Sequence, residues 1–132
     1  MILKIECGVD MVRVSRIQAA LERRGDVFLH RVFTPGEIED CVKKKAGYMQ
    51  SLAARFAAKE AASKALGTGI GAKGVALLDI ETRNLESGKP QIKLYNKANQ
   101  VFLEKGGEDI SLSLSHEGDH AIAFCVMKFR GE

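Results

Sequence analysis

The chain has 132 residues, 45% of them hydrophobic. This length favours one domain, residues 1–132, with little room for a deep pocket formed by a single chain. A net charge of +3 is too small to indicate general nucleic-acid binding. Cys7, Cys41 and Cys125 are odd in number and form no CxxC pair, which argues against a disulfide framework or a zinc site, so we expect reduced core thiols. No apolar run reaches about 18 residues and no signal-peptide pattern begins the chain, so we expect a cytoplasmic protein without membrane association.

The first half of the chain predicts a strand and two helices. Residues 2–9 favour the strand. Ser15 and Gln18 resemble a capping box, which predicts a helix over residues 15–24 that ends before a glycine. A threonine, a proline and a glutamate at the right spacing predict a second helix over residues 34–46.

The second half predicts two further helices and four strands, which gives an α+β order. Residues 55–71, RFAAKEAASKALGTGIG, predict the end of an alanine-rich helix and a glycine loop. The other expected elements are strands over 75–82 and 91–95, a short helix capped by Asn96 and ending near Lys105, and strands over 110–116 and 121–129.

The last two strands differ in pattern. Residues 110–115 alternate between apolar residues and serine, as in a half-buried strand, and His116 continues the apolar face. Taken alone, His116 is more often a strand-end histidine with a satisfied hydrogen bond than a ligand-binding group. Residues 121–129 are nearly all apolar and favour a strand covered on both sides, after a hairpin turn at 117–119.

The alanine-rich helix places its charged side chains beside an apolar stripe. The stripe consists of Leu52, Phe56, Ser63 and Leu66. Lys59 and Glu60 flank it on opposite sides, so both are expected at the edge of the core. Lys64 follows Glu60 by one turn, and the simplest interpretation is a surface ion pair worth about 0.3–0.5 kcal/mol.

The end of this helix points beyond a simple ion pair. Gly67 is an ordinary C-terminal cap, because glycine enters the left-handed region freely. Gly69 and Gly71 add backbone with few side chains, which a bulky anion could approach closely. The segment is not a Walker loop, since the glycines follow the helix and no GKS or GKT triplet is present.

Three motifs in order resemble holo-acyl-carrier-protein synthases, which are 4′-phosphopantetheinyl transferases. They are GVDM at 8–11 with Arg16 and Ile17, the segment 55–71, and SLSHEGDHAIAF at 113–124. The resemblance covers essentially the whole chain. It implies an α+β fold with an antiparallel sheet packed with helices. The implied reaction transfers phosphopantetheine from coenzyme A to a serine of apo-acyl-carrier protein and releases adenosine 3′,5′-bisphosphate.

The resemblance also implies roles for individual residues. Asp10 and Glu60 match the family's Mg²⁺ ligands, and Lys64 matches the lysine beside the phosphate bridge. The general base stays open between Glu60 and a water on the metal. Val12 stands where larger pseudo-dimeric relatives carry a second acid, which agrees with the small self-assembling branch. The expected coenzyme A contacts are Arg55, Ser63, Lys64, Gly67, Thr68, Gly69, His116 and one lysine of 43–45, for which Lys44 is chosen.

The first predicted helix offers a surface for the carrier protein. Its basic face with a small apolar gap comprises Arg16, Ala20, Arg23 and Arg24, with Arg13 nearby. Acyl-carrier proteins are acidic, so this face complements them in charge. The family further implies a homotrimer with sites between subunits. The alternative is a non-catalytic module that binds nucleotides or acidic proteins, in which Asp10 and Glu60 are structural.

Overall fold

The computed structural model describes residues 2–131 and has an α+β architecture. The helices are α1 (Val14–Arg24), α2 (Asp26–Val32), α3 (Pro35–Val42), α4 (Tyr48–Leu66) and α5 (Asn96–Glu104). The strands are β1 (Leu3–Arg13), β2 (Ile80–Asn84), β3 (Pro90–Leu94), β4 (Gly107–Glu117) and β5 (His120–Arg130). The expected α+β class, an antiparallel sheet packed with helices, is confirmed.

The larger sheet has the strand order β1-β5-β4 and is antiparallel throughout. β5 lies in the centre, where Ala123 pairs with Asp10 of β1 and Ala121 pairs with His116 of β4. This register brings the first and last motifs to the same end of one sheet. β2 and β3 form a separate antiparallel hairpin.

Helix α4 packs directly on this sheet because its contact surface is made of small side chains. Six of its alanines are at most 3% exposed: Ala53, Ala57, Ala58, Ala61, Ala62 and Ala65. Gly8 of β1 lies against the backbone of Ala61 and Ala65, and a Cβ atom there would overlap the Ala61 carbonyl. The glycine in the first motif therefore allows β1 and α4 to approach closely.

The start of α1 differs from the prediction. The N-cap is Arg13 and the helix begins at Val14, so the capping box of Ser15 and Gln18 is wrong. Ser15 instead bonds to Asp119, 104 positions away, with its backbone N–H and its hydroxyl. The predicted end is confirmed, since Gly25 is the C-cap.

Other element boundaries also differ, and β1, expected over residues 2–9, runs to Arg13. The second predicted helix ends at Val42, and a short 3₁₀ turn over Lys45–Gly47 precedes α4; α2 was not predicted. The strand expected over 75–82 begins only at Ile80, after another 3₁₀ turn, and extends to Asn84. Helix α5 has Tyr95 as its N-cap without a side-chain hydrogen bond, so the predicted cap by Asn96 is wrong.

Lys59 lies in the core and not at its edge, which corrects the prediction. Its side chain is fully buried, and Nζ lies 2.7 Å from Glu37 Oε1. The ammonium also donates to the carbonyls of Leu77 and Ile80, so all three of its donors are used. Burial lowers the pKa of Lys59, and Glu37 opposes that shift.

The sheet face away from α4 is apolar and uncovered in the single chain. Its exposed side chains include Ile5, Cys7, Val9, Met11, Ile122 and Phe124. The expectation that β5 is covered on both sides is therefore wrong for one chain, as is the expectation that Cys7 is a core thiol. Cys41 and Cys125 are free and buried as expected. Between residues 2 and 131, no helix has the length and apolarity needed to span a membrane.

Candidate functional site

Asp10, Glu60 and Lys64 meet where β1 crosses α4. Lys64 Nζ lies 3.6 Å from Asp10 Oδ1 and donates to the Val9 carbonyl at 2.9 Å. Glu60 is one turn earlier on the same side of α4. The ammonium of Lys64 is therefore held by β1 beside Asp10. The three predicted residues lie together although Asp10 precedes Glu60 by 50 positions.

The charges of this cluster affect one another. Burial raises the pKa of Glu60 above its usual value, and the nearby Asp10 carboxylate raises it further. Lys64 and Arg16 act in the opposite direction. The two carboxylates thus lie close enough to repel each other, and the two nearby cations act against this repulsion. A divalent cation between them would relieve this repulsion.

The donor set fits a hard cation that keeps most of its water. Mg²⁺ is usually bound through one or two carboxylates together with phosphate oxygens and water. Asp10 and Glu60 supply two carboxylates, and no group of three or more His, Cys, Asp and Glu side chains suited to a metal occurs among residues 2–131. A ligand such as a pyrophosphate would have to supply further oxygens.

The glycine loop follows directly from the end of α4. Gly67 is the C-cap with φ 87°, and the Ser63 carbonyl accepts hydrogen bonds from the backbone N–H groups of Gly67, Thr68 and Gly69. Ser63 is fully buried and its hydroxyl donates to the Glu60 carbonyl. The Ser63 carbonyl therefore holds the start of the loop, whereas a Cβ atom added at Gly69 would meet nothing within 4 Å.

A cavity of about 430 Å³ lies on the other side of α4. Its polar lining includes Lys44, Gln50, Ser51, Arg55, Asn84 and His116. Arg55 is only 3% exposed; it donates to Ser51 Oγ at 2.7 Å and to Asn84 Oδ1 at 3.0 Å. Its Nε has no partner among the described residues. A buried guanidinium beside an exposed lysine and a histidine suits an anionic ligand.

The cavity and the carboxylate pair lie on opposite flanks of α4. Arg55 and Glu60 are five residues apart, so their side chains point about 140° apart around the helix. Glu60 faces the β1 flank, whereas the cavity is lined by residues 112–116 of β4. The residues predicted to bind one substrate are therefore divided into two groups within a single chain.

Helix α1 presents the predicted basic face. Arg16, Arg23 and Arg24 are exposed, Ala20 is half-buried, and Ile17, at the edge of this face, is buried. Arg16 lies at the end nearest the carboxylates, as its effect on the pKa of Glu60 indicates. The basic face is thus continuous with the β1 flank of the site.

Ser51 and Asn84, the two partners of Arg55, are among the cavity residues that were not predicted. Ser51 stands one turn before Arg55, so helical spacing could have indicated it. Asn84 could not be found in this way, because its contact with Arg55 depends on how β2 packs beside α4.

A family model described as the 4′-phosphopantetheinyl transferase superfamily matches residues 6–125. A holo-[acyl-carrier-protein] synthase of Carboxydothermus hydrogenoformans is 50% identical over 120 residues, which cover 91% of this chain and 94% of that protein. The corresponding protein of Ruminiclostridium cellulolyticum is 48% identical over 120 residues, covering 91% and 89%.

Solved structures agree with this similarity. The Helicobacter pylori holo-[acyl-carrier-protein] synthase, crystallised in complex with coenzyme A, is 35% identical and superimposes with a TM-score of 0.78. The match covers 92% of this chain and 98% of that one. Sequence and fold are thus shared over nearly the whole length.

Proposed function

The chain belongs to the 4′-phosphopantetheinyl transferase superfamily, and we propose that it works with one Mg²⁺ ion between Asp10 and Glu60, in a site completed by a second copy of the chain. The enzyme transfers 4′-phosphopantetheine from coenzyme A to a serine of apo-acyl-carrier protein. The observation that carries the proposal is the convergence of Asp10, Glu60 and Lys64 at the crossing of β1 and α4.

In the proposed reaction the carrier serine oxygen forms a bond to the phosphorus next to pantetheine. The bond from that phosphorus to the bridging oxygen breaks, and adenosine 3′,5′-bisphosphate leaves. Mg²⁺ would neutralise charge on the pyrophosphate. Lys64 is placed to stabilise the leaving phosphate, because the Val9 carbonyl holds its ammonium beside the carboxylates. Glu60 is our preferred acceptor for the serine proton, since its carboxylate lies beside Asp10 and Lys64, where the serine would meet the pyrophosphate.

The nucleotide half of coenzyme A belongs, in this proposal, to the cavity on the β4 flank. Lys44, Arg55 and His116 line it and would meet the phosphates and the nucleoside. Thr68 and the loop glycines would border the pyrophosphate on the β1 flank. Because the two flanks of one chain face away from each other, the β4 flank of one copy must adjoin the β1 flank of the next.

The uncovered apolar sheet face supports such an assembly. Ile5, Met11 and Phe124 are 60%, 62% and 45% exposed, and they lie on one continuous surface with Val9 and Ile122. Large apolar patches usually mark contact surfaces. We propose that copies of the chain bury this face in a cyclic homotrimer, which also brings unlike flanks together. The free thiols agree with a cytoplasmic location, which belongs to the same proposal.

Mixing two inactive variants tests the divided site. Asp10→Asn removes a metal ligand from the β1 flank, and His116→Ala removes a cavity residue from the β4 flank. After the variants are mixed in equal amounts and allowed to exchange subunits, about a quarter of the sites should combine two intact flanks, so activity should return.

The matched control mixes Asp10→Asn with Glu60→Gln, which damage the same flank. That mixture should stay inactive. If the first mixture also stays inactive although subunit exchange is demonstrated, each chain holds its own complete site and the proposed arrangement is wrong.

A further inference from the structure

The hairpin turn between β4 and β5 holds the start of helix α1. The Asp119 carbonyl accepts the Val14 N–H at 2.8 Å. Its carboxylate accepts the Ser15 N–H at 2.8 Å through one oxygen and the Ser15 hydroxyl at 2.5 Å through the other. A single residue at the far end of the sequence therefore makes three contacts with the first turn of α1.

These contacts replace a local helix cap. The first N–H groups of a helix have no partner inside it and are usually bonded by the N-cap side chain. The N-cap residue here, Arg13, makes no such side-chain bond. Asp119 supplies the missing acceptors and places a negative charge at the positive end of the helix, where it is favourable. Consistently, the two Ser15 hydrogen bonds are the main causes that lower the pKa of Asp119.

The conformation of the turn holds Asp119 in this position. Gly118 and Asp119 form the two-residue connection between β4 and β5, and Gly118 has φ 57°, a conformation that glycine adopts without strain. From Asp109 onward, β4 pairs with β5 without a register shift up to Glu117 and His120. The position of Asp119 is thus set by the rigid sheet.

The helix that Asp119 holds carries the basic face described above. Arg16 directly follows Ser15, and its charge reaches Glu60. A shift of the first turn of α1 would therefore move Arg16 relative to the carboxylates. Asp119 stands three residues after His116 in the same hairpin. The sheet therefore fixes the position of the carrier-facing helix relative to that of the cavity residue.

We propose that Asp119 is a positioning residue for carrier-protein docking: by fixing the first turn of α1, it orients Arg16 toward the incoming acidic partner beside Asp10 and Glu60. This inference rests on the proposed function. Asp119 acts only by fixing helix α1 and touches neither coenzyme A nor the carrier protein in this proposal.

The first test compares Asp119→Ala with Asp109→Ala. Asp109 is an exposed aspartate near the start of β4, far from the turn, and its carboxylate bonds only to the next backbone N–H among the described residues. Asp119→Ala should raise the KM for the apo-carrier protein by about fivefold, comparable to the loss of a helix cap, with kcat and the KM for coenzyme A nearly unchanged. Asp109→Ala should change none of the three. Equal effects of both variants, or a defect confined to coenzyme A, would overturn the inference.

The second test asks whether Asp119 acts through Arg16. In an Arg16→Ala background, Asp119→Ala should produce little further rise in the carrier KM, because the orientation of a missing side chain has no effect. Independent, fully additive effects would contradict a role through Arg16.

Hydrogen exchange separates this inference from the proposed function. The amides at the start of α1 should exchange faster in Asp119→Ala than in the wild type or Asp109→Ala. Unchanged exchange would refute the tether even if transfer activity is found. Conversely, a wild-type protein without transfer activity would refute the proposed function while this measurement still tests the tether.

Discussion

Lys64 Nζ lies 3.6 Å from Asp10 Oδ1, although the two residues come from a helix and a strand 54 positions apart. The contact depends on Gly8, which lets β1 lie against the backbone of α4. The first and second motifs therefore form one site only because a residue without a side chain stands between them. We expect Gly8→Ala to separate the strand from the helix.

The pKa of Glu60 should lie above the usual value for a glutamate in the metal-free protein. Its pKa is raised by burial and by Asp10, and Lys64 and Arg16 moderate the shift. A raised pKa in the folded state means that the ionised form is disfavoured by folding. The contribution of Glu60 to stability is therefore greatest at low pH and is lost as pH rises through the unfolded and then the folded pKa.

Carboxyl NMR titration checks this expectation. Lys64→Ala should raise the pKa of Glu60 further, because it removes a compensating cation, and Asp10→Asn should lower it. Saturating Mg²⁺ should also lower it. A pKa of Glu60 that does not respond to Asp10→Asn would show that the two carboxylates do not interact.

Lys64→Ala should slow transfer more than it weakens coenzyme A binding. The lysine matters most when the leaving phosphate gains charge, so we expect kcat to fall by about 10²-fold with a much smaller change in the affinity for coenzyme A. Lys64→Arg should restore only part of the rate, because a planar guanidinium does not replace a compact ammonium against the Val9 carbonyl. Steady-state kinetics with direct coenzyme A titration would measure both. Wild-type turnover in Lys64→Ala would mean that Lys64 forms an ion pair with Asp10 but does not contribute to transfer.

Arg16→Glu should weaken carrier-protein docking. We expect the carrier KM to rise by about tenfold or more, with little change for coenzyme A, because a like charge then faces an acidic partner. Rising salt should reproduce part of this loss in the wild type. Glu22→Gln, on the same helix but outside the basic face, serves as a control that should behave normally. Carrier binding that is insensitive to salt would place the docking surface elsewhere.

Lys59→Met should destabilise the fold without altering the site directly. The substitution leaves Glu37 buried without its cation, which typically costs about 3–5 kcal/mol. Adding Glu37→Gln should recover part of the loss, because it removes the buried unpaired charge. The amide oxygen can still accept one of the two backbone N–H groups, from Thr34 and Thr82, that now donate to the two carboxylate oxygens. Denaturant unfolding of the two variants measures the difference. A double variant no more stable than Lys59→Met would contradict this explanation.

Short-range spacing was enough to predict the helical part of the site. Glu60 and Lys64 are one turn apart, and the loop glycines follow the helix directly, so the sequence places them together. The β4–β5 hairpin could likewise be predicted from alternation and turn residues.

Long-range contacts could not be predicted in this way. Helical periodicity put Lys59 at the core edge because it does not reveal a buried partner such as Glu37, 22 positions away. Ser15 looked like a helix cap because its true partner, Asp119, is 104 positions away. The split between the cavity and the carboxylate pair also depends on how the sheet lies under α4.

Metal-dependent transfer through Asp10 and Glu60 changes the mass of the carrier protein, which can be measured. Apo-carrier protein is incubated with coenzyme A and the wild-type protein, with Mg²⁺ or with excess chelator, and then weighed by intact mass spectrometry. We predict that the carrier gains one phosphopantetheine only with Mg²⁺, and that Asp10→Asn, shown to be folded, gives almost none. An unmodified carrier, or equal modification in the presence of chelator, would contradict metal-dependent transfer through Asp10 and Glu60.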